Sequence, residues 1–269
     1  MRIDEIREAY LADGFSYLDA SSRTCQDIML SLIAKSPLNK NVTIKGGVVM
    51  QHLSGDSRRA TQDFDLDFIR YSLNEDSIKE FLLKLNEYSE YFNITITSAI
   101  EELKHQDYKG KRAFVRIIDN EGASIETKLD IGVHKDIDIE QHEYCFDLGK
   151  LDDSVTLLIN TKEQIFAEKL KVLLRLGNLS TRYKDVFDMY WLITKGNMSN
   201  KYVLADIESI IFNDSTMREN NIVNISARLE RVFADRHFIM SLNKSKRHNW
   251  LGVDPQRVAD TIIDFVREL

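Results

Sequence analysis

Asp63-Phe64-Asp65-Leu66-Asp67-Phe68 alternates a carboxylate with a large apolar side chain. In a strand this period of two puts three carboxylates on one face and three apolar groups on the other. Carboxylates held that close repel one another, so a cation among them is the natural compensation. Hard oxygen donors suit magnesium, which takes one or two protein carboxylates and completes its shell with phosphate oxygens. The plainer alternative is the solvated face of an amphipathic strand. Upstream, Val42-Thr43-Ile44 reads as a short strand ending at Lys45, and Val48 to Leu53 as a helix. The Gly46-Gly47 pair between them lets backbone N–H groups approach a phosphate at the helix start, although such a pair also serves as an ordinary tight turn.

Other charged residues have settings that suit the same chemistry. In Ser124 to Val133, Ile125, Thr127, Leu129, Ile131 and Val133 share one strand face while Glu126, Lys128 and Asp130 share the other. A third carboxylate, Asp130, thus arrives on a polar face. Thr161-Lys162-Glu163-Gln164 fits a capping box. The helix after it, Gln164 to Leu176, carries Phe166, Leu170, Leu173 and Leu174 on its apolar side with Lys169 among them. Such a lysine either reaches outward to solvent or presents its charge to a phosphate. A following helix holds Lys184, Asp185 and Asp188 at spacings of three and four, which make one exposed charge cluster or an intrahelical salt bridge.

Taken in order, Gly46-Gly47, Arg59, Thr61 and Asp63-Phe64-Asp65 resemble the nucleotidyltransferase superfamily of the DNA polymerase beta type. More narrowly, Lys45-Gly46-Gly47 followed by Arg59-x-Thr61-x-Asp63-x-Asp65 resembles the AbiEii toxins of type IV toxin–antitoxin and abortive-infection systems. Ala167-Glu168-Lys169-Leu170 is similar to that family's second motif, and Arg182-x-Lys184-Asp185-x-x-Asp188-x-Tyr190 to the motif that follows it. Many nucleotidyltransferases carry Gly-Ser where this chain has Gly46-Gly47; the AbiEii branch uses Gly-Gly.

The resemblance implies an α/β (α+β) fold, a mixed sheet with flanking helices followed by a C-terminal helical region. Residues 1–155 would be the catalytic domain, and residues 156–269 a helical domain completing the nucleotide and acceptor site. It implies Asp63, Asp65 and Asp130 as ligands of two magnesium ions about 4 Å apart, with manganese as a substitute. Lys45, Gly46, Gly47, Arg59 and Thr61 would meet the triphosphate of an NTP, with Lys169 as a catalytic, phosphate-contacting lysine. Lys184, Asp185 and Asp188 would line the nucleotide pocket or orient Lys169. The implied protein is a toxin that transfers a nucleoside monophosphate to an RNA acceptor, a tRNA end, and is restrained by a cognate antitoxin. Two rivals are a transferase acting on a partner protein and a silent regulatory module of the same fold.

Composition bounds these readings. A chain of 269 residues, 43% hydrophobic, can bury one large core or two modest ones. No apolar run nears the roughly 20 residues that cross a bilayer, and the charged start, MRIDEIREAYLADG, reads as helix, so the expected location is the cytoplasm. Cys25 and Cys145 lack metal-type spacing, which leaves two free thiols. A net charge of −7 gives no global pull toward nucleic acid, so any RNA must meet a local basic patch. Two stretches qualify: Lys104 to Arg112 and Lys244 to Trp250, each also readable as a solvated loop.

The remaining elements follow from periodicity. Ile3 to about Lys35 reads as two helices ended by Ser36-Pro37. Leu73 to Tyr91 is a third amphipathic helix, with strands at Phe92 to Ile100 and Arg112 to Ile118. Asn120-Glu121-Gly122 is a hairpin turn, and Asp136 to Asp153 reads as an irregular boundary. Helices are expected at Tyr202 to Phe212, Ile225 to Phe233 and Asp254 to Leu269, the last with Asp254 as cap and Pro255 at its first position.

Overall fold

A computed structural model describes residues 2–103, 110–133, 141–151 and 153–269. The chain divides into two compact units, Met1–Asn160 and Thr161–Leu269. The first begins with α1 (Ile3–Ala12) and α2 (Tyr17–Lys35), whose end is set by Ser36 in extended conformation before the proline. Then come β1 (Val42–Lys45), α3 (Gly46–Ser54), β2 (Phe64–Phe68), α4 (Glu75–Glu87), β3 (Phe92–Ile96), β4 (Glu101–Leu103), β5 (Gly110–Asp119), β6 (Ser124–Val133), β7 (His142–Leu148) and β8 (Asp153–Ile159).

These strands form one mixed sheet in the order β3-β5-β6-β2-β1-β8-β7, with β4 on β5. The two parallel pairs are β2 with β6 and β1 with β8; the other pairs are antiparallel. Phe64, Leu66 and Phe68 are buried, as the alternation of β2 requires. The apolar stripe of α2, including Ile28, Met29, Leu32 and Ile33, is buried with them. At the β5–β6 turn Gly122 has φ +88°, where a side chain would be strained, and Asp119 caps the turn by accepting from the Glu121 and Ala123 amides.

The second unit is helical: α5 (Lys162–Leu176), α6 (Tyr183–Lys195), α7 (Asn200–Ile207), α8 (Ile222–Phe233), α9 (Arg236–Leu242) and α10 (Pro255–Arg267). Thr161 caps α5 by accepting from the Gln164 amide at 3.0 Å. The Gln164 carboxamide donates onward to Glu168, so the reciprocal half of the expected capping box is not made. Asp254 caps α10, with Pro255 in its first turn. After α7 one π turn, Glu208–Phe212, extends the helix.

Several expectations shift. The stretch read as an irregular boundary contains β7 and, at Asp153, the start of β8: Phe146, Leu148, Val155, Leu157 and Ile159 are buried, while Glu143, Asp147 and Ser154 are exposed. Residues 134–140 and 152 lie outside the described residues. The strand expected over Phe92 to Ile100 stops at Ile96, and neither β4, which begins at Glu101, nor α9 was anticipated. The units divide between Asn160 and Thr161 because β8 runs to Ile159.

Candidate active site

In the sheet unit, β1 delivers Lys45 opposite Asp65 on β2, and β2 lies parallel to β6 with Asp65 beside Asp130. Chain turning follows at once, since Gly46 has φ +66° and opens α3. A Cβ at Gly46 would overlap the Asp65 carboxylate, and one at Gly47 would overlap the Thr61 hydroxyl. Both glycines are therefore demanded by close approach, Gly46 also by its backbone. Arg59 is buried just ahead of Thr61, whose carbonyl accepts from the Gln26 carboxamide at 2.9 Å.

Asp63, Asp67 and Asp130 each meet a cation. Lys128 Nζ lies 2.8 Å from Asp63, Lys45 Nζ 2.6 Å from the buried Asp67, and Arg112 grips Asp130 with Nε and Nη2, each at 2.7 Å. This fork-to-fork pair with Asp130 raises the Arg112 guanidinium further above its ordinary value. The repulsion expected of an alternating carboxylate strand is thus answered by lysine and arginine from β1, β5 and β6. Lys45 thus bonds Asp67, and Arg112, at the end of the basic stretch, lies in β5 and bonds Asp130. The basic segment before it, residues 104–109, lies outside the described residues. Arg112 was within reach of sequence reasoning, because counting back from the Asn120 turn sets it opposite Asp130.

Among the described residues no three carboxylate, imidazole or thiol groups stand together as a ready metal cluster. The donors nonetheless fit a hard divalent ion: Asp65 and Asp130 are neighbours on adjacent strands, Asp63 lies two residues from Asp65, and all present oxygen.

In the helical unit a second group forms. Lys169 on α5 is buried, and its Nζ sits 2.5 Å from Asp185 and 2.9 Å from Asp188, both on α6. The expected outward reach to solvent is overturned, because two carboxylates hold the ammonium inside. Asp188 is also not part of an exposed cluster; it is fully buried, and its other oxygen accepts from the Trp250 indole N–H at 3.1 Å. Lys184 stands half-buried at the start of α6. Trp250 is the residue sequence reasoning missed; nothing in its neighbourhood announces a partner so distant in the chain.

A glycine-opened helix beside paired strand carboxylates, with a lysine on one helix fixed by two aspartates of the next, is the residue inventory of a nucleotidyltransferase. A family model described as Nucleotidyl transferase AbiEii toxin, Type IV TA system, matches residues 27–241, and the chain belongs to that family. Membership makes it a nucleotidyltransferase and gives it an NTP as substrate. No curated protein matches the chain. Among solved structures it is similar to the crystal structure of an antigenic nucleotidyltransferase-like protein from Paracoccidioides brasiliensis. The two are 16% identical, the match covers 82% of this chain and 91% of that one, and the TM-score is 0.39. Among the described residues no helix is long and apolar enough to cross a membrane.

Proposed function

We propose that this protein transfers a nucleoside monophosphate from an NTP to an RNA acceptor, a tRNA end, as the toxin of a toxin–antitoxin pair in the cytoplasm. The observation that carries the reading is the register that sets Asp65 beside Asp130 while the Asp65 carboxylate packs on the Gly46 turn. Metal donors and a phosphate cradle thereby share one corner of the sheet. Residues 1–155 act as the catalytic domain and residues 156–269 supply the lysine group.

Asp63, Asp65 and Asp130 would hold the two magnesium ions, or manganese in their place, which when bound screen the α-phosphate and the departing pyrophosphate. The backbone amides at Gly46 and Gly47 donate to triphosphate oxygens, and the α3 dipole favours the negative charge there. Lys45, Arg59 and Thr61 surround the same turn. Lys169 contacts phosphate; Asp185 and Asp188 orient it, with Lys184 beside them. The acceptor hydroxyl oxygen forms a bond to the α-phosphorus as the α–β bridging bond breaks and pyrophosphate leaves.

The test incubates the full chain with magnesium, each labelled NTP and total RNA. Label in RNA is the expected result. Label in a protein would replace the acceptor, and no label with any NTP would sink the reading. Asp63→Ala should reduce transfer to background with its thermal transition largely kept, and Lys169→Ala should reduce transfer by about 10²–10³-fold with a lowered transition, because Asp188 loses its buried cation. Full activity in either variant would overturn the site assignment.

A further inference from the structure

Trp250 closes the basic stretch that contains Lys244, Lys246, Arg247 and His248, yet it is only 1% exposed. Asn249 fastens the stretch from within. Its side chain donates to Asn243 Oδ1 at 3.0 Å and to the Val253 carbonyl at 2.8 Å, and accepts from the Gly252 amide at 2.8 Å. His248 packs its ring against Tyr183, the first residue of α6, with centroids 4.8 Å apart. One turn further along α6, Asp188 takes the Trp250 N–H on Oδ1 and the Lys169 ammonium on Oδ2. The segment is a strut for α6.

We propose that Trp250 is a positioning residue for nucleotide transfer: by fixing the Asp188 carboxylate it fixes the Lys169 ammonium where phosphate is bound. The inference rests on the phosphate role given to Lys169 above. The last torsion of an aspartate is broad, so one oxygen bound to lysine leaves the carboxylate plane poorly set. A second hydrogen bond, from a rigid ring that is itself fully packed, sets it. A lysine on a four-carbon stem has no comparable order of its own and takes its place from the carboxylates it meets. A buried indole N–H takes an acceptor wherever it packs; here that acceptor is the carboxylate that holds Lys169.

The experiment titrates inorganic tripolyphosphate, in the presence of magnesium, into the full chain by calorimetry. Proteins compared are wild type, Lys169→Met, Trp250→Phe and the double variant. Each single substitution should raise Kd about tenfold, the scale of one charge-assisted hydrogen bond. The double variant should bind no more weakly than Lys169→Met, since both changes act through one group. Multiplied losses in the double variant, as general damage to the fold would give, overturn the proposal. Should Trp250→Phe fail to fold, benzothienylalanine at position 250 keeps the ring shape and replaces the N–H by sulfur. It should show the tenfold loss while keeping one cooperative thermal transition; wild-type binding overturns the proposal. A Lys169→Met protein that binds like wild type defeats the phosphate role of Lys169 and the Trp250 proposal with it. A weakened Lys169→Met beside an unchanged Trp250→Phe defeats the Trp250 role alone.

Discussion

Gly46 bears two constraints at once, a left-handed backbone and contact with the Asp65 carboxylate. Gly46→Ala should therefore cost about 1–2 kcal/mol of stability from the backbone. It should also cost transfer about 10²-fold or more, because the methyl group displaces a carboxylate whose placement the reaction needs. Gly122→Ala is the matched control: φ is +88°, but a Cβ there meets open space. It should lose stability alone. Urea unfolding together with the transfer assay distinguishes the two, and equal activity of both variants would remove Asp65 from the site. The polar face as a whole was legible in kind, since alternation showed where carboxylates point. Which cation each one meets was not, except Arg112, because pairing across strands depends on register.

At the scale of elements, α2 carries the buried Asp27, which accepts from the Tyr10 hydroxyl of α1. Its other oxygen has no hydrogen-bond partner. Burial pushes the Asp27 carboxyl up to about 6, with Arg23 opposing. An acid raised in the folded state contributes stability that is fully present below its ordinary value near 3.8 and is lost as pH rises through about 6. His52 on α3 works the other way. Burial, then Arg23, pushes it down to about 3, so its contribution is lost as pH falls below about 6.5. Asp27→Asn removes only the first effect. Relative to wild type the variant should gain about 1–3 kcal/mol between pH 4 and pH 7.5, read by urea unfolding at both ends. A difference that stays flat across that range would show that Asp27 keeps an ordinary carboxyl. Strands β7 and β8 escaped sequence reading for a related reason. β7 exposes Glu143, Cys145 and Asp147 between buried Phe146 and Leu148, and β8 exposes Ser154 and Thr156, so polar residues among the apolar ones hid a period of two.

For the molecule, the helical unit Thr161–Leu269 encloses its own apolar residues, among them Phe187, Leu229, Phe238, Trp250 and Ile262. Residues 161–269 expressed alone should give a helical circular dichroism spectrum and one cooperative thermal transition, as a compact unit of this length does. A featureless spectrum would show that the unit is not autonomous. The fragment should carry no transfer activity, because Asp63, Asp65 and Asp130 are absent from it. With net charge −7 on the full chain, an RNA acceptor would have to be held by local groups; Lys244 and Lys246 are exposed and sit on the strut that Trp250 anchors.

By itself the sequence determined the period of β2, the glycine turn before α3, the caps of α5 and α10, and the order of motifs that marks the family. Apart from the order of the motifs, all are local: each depends on dihedral preference, spacing or residue type within a dozen positions. Only the tertiary structure decided that Asp67 belongs to Lys45, that Asp188 turns inward, and that Trp250 reaches it across 62 residues. Those facts depend on which surfaces are buried together, and burial is a property of packing that no short window of sequence contains. The opening carboxylate stretch is thus half explained by its own alternation and half by the two lysines that the sheet brings to it.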